Sequence, residues 1–126
     1  MSRTPTPALH DISFDVMPGE YVAVLGLNGA GKTTLGLCVN GVVPTMLGGD
    51  LEGSVTVAGL DVAEYAVREM AKVVGIVFDN PEFQMSQLSA AEEIALGLEN
   101  AGIAYDEMIR IIPETLRLVG LEGFEE

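Results

Sequence analysis

The sequence predicts an α/β fold whose centre is a phosphate-binding turn, and three adjacent segments carry that prediction. Residues 21–25, Tyr-Val-Ala-Val-Leu, form an apolar run that reads as a buried strand. The glycine-rich turn Gly26-Leu27-Asn28-Gly29-Ala30-Gly31-Lys32-Thr33-Thr34 follows at once. Residues 35–40 then read as a short helix ended by Gly41. A strand, a glycine-rich turn ending Gly-Lys-Thr and a helix are the context in which such a turn holds phosphate.

The remaining elements follow in chain order. Residues 1–10 read as a flexible stub, in which His10 is a solvated side chain. Residues 12–16 alternate apolar and polar, as a half-exposed strand does. Pro18-Gly19 turns that strand into the next one. Residues 42–53 carry Pro44 and Gly48-Gly49 and read as a loop. Residues 54–58 alternate again before Gly59 turns the chain, which predicts a small antiparallel sheet beside the parallel one. Residues 62–70 read as a short helix and residues 73–78 as a second buried strand. Asp79-Asn80-Pro81 stops that strand, because Pro81 lacks an N–H and restricts Asn80. Ser89 and Glu92 are spaced as a capping box, so a helix starts there and ends at Gly102. Its apolar face is Leu88, Ala91, Ala95 and Leu98. Ile109, Ile112, Leu116 and Val119 mark a last amphipathic helix, which Pro113 must kink or restart and Gly120 ends.

The turn dictates its own chemistry. Glycines bring backbone close to a polyanion, and their N–H groups converge on one concavity. The following helix adds the positive end of its dipole. Lys32 supplies a point charge for the β- and γ-phosphates, Thr33 a hydroxyl for Mg²⁺, and Thr34 a contact for the α-phosphate. The expected phosphate-binding residues are therefore Gly26, Asn28, Gly29, Ala30, Gly31, Lys32, Thr33 and Thr34.

Composition narrows the function classes. The 126 residues carry a net charge of −13 and only two lysines, Lys32 and Lys72. Such a surface repels nucleic-acid phosphate, so direct DNA or RNA binding is not expected. No apolar run reaches the ~18 residues that span a bilayer, and no signal peptide opens the chain. A cytoplasmic location is expected, with any membrane role exercised through a partner. Cys38 is the only cysteine, which excludes an internal disulfide and suits a small core residue.

Beyond the phosphate turn, a strand ending Pro18-Gly19-Glu20, a Gly-X-Val-X-Val-X-Gly strand at residues 53–59, and the run Val74-Gly75-Ile76-Val77-Phe78-Asp79-Asn80-Pro81-Glu82-Phe83-Gln84 occur in a fixed order. This order resembles the ATPase subunit of ABC transporters over nearly the whole chain. Asn80-Pro81 with Gln84, residues 92–100 and residues 119–124 resemble the energy-coupling factor (ECF) branch, which powers prokaryotic uptake of vitamins and metal ions. The resemblance implies a P-loop NTPase core at residues 11–88 and the start of a helical subdomain at residues 89–126. It also implies ATP and Mg²⁺ as cofactors, a second ATPase subunit as partner, and a membrane coupling subunit. The chain would then sit on the inner face of the cell membrane through those partners.

Three departures qualify the resemblance. The family's signature motif, second acidic motif with its catalytic glutamate, and switch histidine do not occur in these residues, so the chain reads as a truncated domain. ATP binding without efficient hydrolysis is expected, and no catalytic residue is assigned. No aromatic residue precedes Phe14 to stack on adenine. The family's glutamine after the strand-ending Phe is Asp79 here, which can ligate Mg²⁺ or serve only as a strand-end cap. The alternative to a transport ATPase is a non-catalytic nucleotide-binding fragment or regulatory subunit. DNA-maintenance ATPases of the superfamily insert coiled coils that are not seen here.

Overall fold

The structure, a computed structural model, describes residues 6–125, so the first five residues of the expected stub lie outside it. The chain divides into two units, Met1–Ile76 and Val77–Glu126.

In the first unit, α1 spans Lys32–Val39 and so begins within the glycine-rich turn, three residues before its expected start. Asn40 follows it, and its side-chain carbonyl accepts from Val42 N–H at 3.1 Å. Gly41, at φ 78°, reverses the chain into α2, Val42–Thr45, a single turn inside the expected loop. Val43 in that turn has φ −102° and ψ 128°, because the ring of Pro44 disfavours helical backbone before it. Gly41 is where the core closes: a Cβ there would meet Val62 Cγ1 at 3.3 Å and Met70 Cγ at 3.7 Å. Val62, Met70 and Cys38 are buried in this core, and burial pushes the Cys38 thiol above its usual pKa.

The antiparallel sheet is a two-stranded hairpin. β1, Thr56–Val57, pairs with β2, Leu60–Asp61, in the register Thr56 to Asp61 and Val57 to Leu60. Both turn residues have positive φ, 51° at Ala58 and 81° at Gly59, as a two-residue turn matching strand twist requires. Alanine is strained there by about 1–2 kcal/mol. Ala58→Asn is therefore expected to stabilise the domain by about 0.5–1 kcal/mol, read as a raised denaturant midpoint at unchanged slope. The expected helix at 62–70 is shorter: α3 spans Val67–Met70. The Asp61 carboxylate holds Ala63 N–H at 2.9 Å and shapes the preceding residues as a turn.

The expected parallel strands are not paired. Among the described residues, β1 and β2 form the one hydrogen-bonded sheet, and residues 12–16, 21–25 and 73–78 carry no ladder. Tyr21 and Leu25 are fully or nearly fully exposed, at 105% and 90%, rather than buried. In residues 12–16 the expected alternation is expressed at Phe14 and Val16, both about half exposed. Phe14, Val16, Val22, Val24 and Ile76 line one open apolar cavity of about 270 Å³ with Leu35 and Val39 of α1. Periodicity specifies which side chains face inward; pairing also needs neighbours on each edge.

In the second unit, a 3₁₀ turn at Pro81–Phe83 precedes α4, Ala90–Asn100. Ser89 caps α4 as expected, its hydroxyl accepting from Glu92 N–H at 3.2 Å. Glu92 reaches back to Leu88 N–H at 3.2 Å, one residue before the box position. Gly102, at φ 78°, ends α4 with Gly102 N–H on the Glu99 carbonyl and Ile103 N–H on the Leu98 carbonyl. α5, Tyr105–Leu118, packs on α4 and buries Met108 and Leu116. It runs through Pro113 without a restart. The carbonyl that loses its partner belongs to Ile109, a residue 54% exposed.

Candidate functional site

Residues 26–34 form one turn closed onto the start of α1. Gly31 caps the helix with φ 90° and ψ 5°, a left-handed conformation that glycine adopts without a Cβ clash. It also lies against the N-terminal segment. A Cβ on Gly31 would stand 2.6 Å from the Ala8 carbonyl oxygen and 2.9 Å from Leu9 Cδ2. Gly26 is constrained in turn by Ala30, whose Cβ would be 3.2 Å from one on Gly26.

Lys32 braces the turn. Its ammonium donates to the carbonyls of Gly26 at 2.8 Å and Leu27 at 2.9 Å, tying the first helical residue to the first two loop residues. An ammonium has three N–H donors, so one remains for an anion. Ala30 N–H is spent within the turn, on the Leu27 carbonyl at 3.1 Å. The helix bond from Leu35 N–H to the Gly31 carbonyl, 2.9 Å, opens the ladder. By helix geometry the N–H groups of Lys32, Thr33 and Thr34 precede any intrahelical acceptor. These three amides, the positive end of the helix dipole and the Lys32 ammonium all belong to the turn in which sequence reasoning expects phosphate. Thr33 is exposed at the second helical position, while Asn28 and Gly29 form the exposed outer bend.

This arrangement, a glycine-capped helix start braced by its own lysine, accompanies a match along the chain. The ABC transporter family model matches residues 9–126.

The chain belongs to the ABC transporter ATP-binding family.

The P-loop NTPase class expected from residues 26–34 is therefore the class of this ABC domain. An ABC transporter ATP-binding protein of Pyrococcus abyssi is 40% identical over 114 residues, which are 90% of this chain and 41% of that protein. An energy-coupling factor transporter ATP-binding protein of Lacticaseibacillus paracasei is 41% identical over 119 residues, 94% of this chain and 41% of that protein. A third relative, an ABC transporter ATP-binding protein of Caldanaerobacter subterraneus, is 40% identical over 119 residues and is covered to 21%. The chain thus spans about two fifths or less of the length of these relatives.

Asp79 belongs to the second unit of the ABC domain, at an exposed bend before the 3₁₀ turn. Thr33 in the first unit and Asp79 in the second each offer an oxygen donor, the kind that a hard cation such as Mg²⁺ takes. Sequence reasoning missed two contacts. One is the seat of Ala8 and Leu9 on Gly31, which no spacing signals. The other is the Gln84 side chain, whose amide oxygen accepts from Phe78 N–H at 2.9 Å. No helix among the described residues is long and apolar enough to cross a membrane.

Proposed function

We propose that this chain is the nucleotide-binding part of an ECF-type importer ATPase, in which residues 26–34 hold the triphosphate of ATP and Thr33 serves its Mg²⁺; Asp79, in the other unit, is proposed as an oxygen ligand for a hard cation. The observation that supports the reading is the Lys32 brace, which ties the ammonium to the Gly26 and Leu27 carbonyls and leaves it one N–H for an anion. ATP supplies, when bound, the free energy that closes one subunit on another; the residues here bind and orient it. The 41% identity to a protein named for the energy-coupling factor transporter supports the branch. Vitamins or metal ions are the corresponding cargo class, chosen by a separate membrane protein in that branch. The division into a core at residues 11–88 and the start of a helical subdomain at residues 89–126 belongs to the same proposal.

The proposed partners are a second ATPase subunit and a membrane coupling subunit, with the chain peripheral to the inner membrane face. One surface suits the latter. Glu93 holds the N–H groups of Ser86 and Gln87, each at 2.9 Å, and Glu92 holds that of Leu88. This ordered segment presents Phe83, Met85 and Leu88 to solvent at 84%, 67% and 99% exposure. Apolar side chains on a backbone already tied down lose little entropy on docking.

Calorimetry with MgATP tests the reading: saturable heat is expected, and its absence from a folded sample would overturn it. The second reading, a non-catalytic nucleotide-binding or regulatory fragment, is favoured by the carboxylate at Asp79. It predicts phosphate release no faster than that of a Lys32→Ala control, which is also what we expect of these residues tested alone. Steady turnover well above that control would favour a competent ATPase.

A further inference from the structure

We infer that Leu9 is a positioning residue for the phosphate turn: seated on Gly31, it holds the left-handed cap from which the unpaired amides of α1 begin, so that anion binding and this seat are coupled. The inference rests on the proposed role of residues 26–34 in holding a triphosphate.

Glycine adopts left-handed and right-handed backbone about equally, so its own preferences do not fix a conformation. The turn contains two left-handed glycines, Gly29 at φ 79° and Gly31 at φ 90°. Nothing lies within 4 Å of a Cβ built on Gly29. Gly31 is the one that another segment holds, with the Ala8 carbonyl oxygen at 2.6 Å and Leu9 Cδ2 at 2.9 Å from its Cβ position. The burial pattern marks the same contact. From residue 6 to residue 30 every residue is exposed except Leu9, and the next that is not exposed is Gly31 itself. Asp11 bends the chain just beyond the seat at φ 50°, a left-handed conformation uncommon outside glycine. Such a bend persists where its surroundings hold it.

The seat governs the start of α1. The Gly31 carbonyl accepts from Leu35 N–H at 2.9 Å and so opens the helix ladder. The planar peptide that joins Gly31 to Lys32 carries both that carbonyl and the Lys32 N–H. The ψ of Gly31, 5° here, therefore aims the two together. The N–H groups of Thr33 and Thr34 follow in the same first turn. Leu9 has no polar side-chain atom to offer a phosphate; it acts through Gly31. A seat that favours the anion-ready cap is itself favoured when the anion binds, because such coupling is reciprocal.

The test titrates the full chain with inorganic triphosphate and Mg²⁺, and separately with MgATP, while NMR follows the Leu9 methyl resonances. In the parent those resonances are expected to move with the midpoint of binding in both titrations. Leu9→Ala should weaken triphosphate and MgATP by the same factor, about 2-fold to 30-fold. Leu9→Met keeps an apolar side chain of similar volume and should recover most of the loss. A Leu9→Ala variant that binds triphosphate like the parent would overturn the inference while the nucleotide reading stands. Parent Leu9 resonances that stay still as triphosphate saturates would overturn it too, and that result needs no variant to fold. A loss confined to MgATP would put Leu9 at the nucleoside rather than the cap, which also overturns it. If the parent binds neither triphosphate nor MgATP, the nucleotide reading itself falls and takes this inference with it.

Discussion

Lys32→Ala is expected to weaken MgATP binding by about 10-fold to 150-fold, the loss of one charge-assisted hydrogen bond to a phosphate at about 1.5–3 kcal/mol. The structure gives a reason to expect the upper part of that range. The ammonium does two things at once: it offers charge to the anion, and it holds the Gly26 and Leu27 carbonyls at 2.8 and 2.9 Å. Removing it takes away the charge and also leaves two carbonyls without their donor at the mouth of the loop. Lys32→Arg separates the effects. It keeps the charge, but a planar guanidinium cannot bond two adjacent carbonyls and an anion from one compact centre. Partial recovery is therefore expected from arginine. Calorimetry on folded variants checks the series, and an alanine variant that binds like the parent would remove Lys32 from the site.

Gly31→Ala should be the most damaging single methyl group in the nucleotide loop. At φ 90° an alanine is strained by about 1–2 kcal/mol. Its Cβ would also sit 2.6 Å from the Ala8 carbonyl oxygen, a backbone atom that cannot rotate aside, and 2.9 Å from Leu9 Cδ2, which can. Gly29→Ala is the internal control. Gly29 has φ 79° and nothing within 4 Å of a Cβ, so only the conformational strain applies. The expected order of destabilisation in denaturant titration without nucleotide is Gly31→Ala greater than Gly29→Ala, with Gly31→Ala at about 2 kcal/mol or more. Equal midpoints for the two variants would show that the N-terminal segment does not lie on Gly31 in solution.

Local chemistry was legible in the sequence wherever a single residue's options are few. Ser89 before an acidic turn predicted a capped helix, and the bond to Glu92 N–H is there. Gly102 predicted a helix end, and its φ of 78° is the left-handed stop. The P-loop NTPase class was legible for the same reason, since few folds need Gly-Ala-Gly-Lys-Thr-Thr before a helix. Boundaries were less so. α1 starts at Lys32 because Gly31 supplies a helical cap without a side-chain acceptor, and a search for Ser, Thr, Asp or Asn would not find it. α3 starts at Val67 because the Asp61 carboxylate first draws Ala63 into a turn.

What the residues alone determined is the class of the loop and, in residues 12–16, that Phe14 and Val16 share the side that lines the cavity. Those depend on backbone freedom, charge and a two- or three-residue repeat, all of them local. Tertiary structure decided the rest: that Phe14, Val22 and Ile76 line one cavity without a ladder, that Ala8 rests on Gly31, and that Gln84 reaches Phe78. Each of these joins residues through space, and strand pairing or a side-chain clamp is set by which partners arrive. No residue's own preferences encode that.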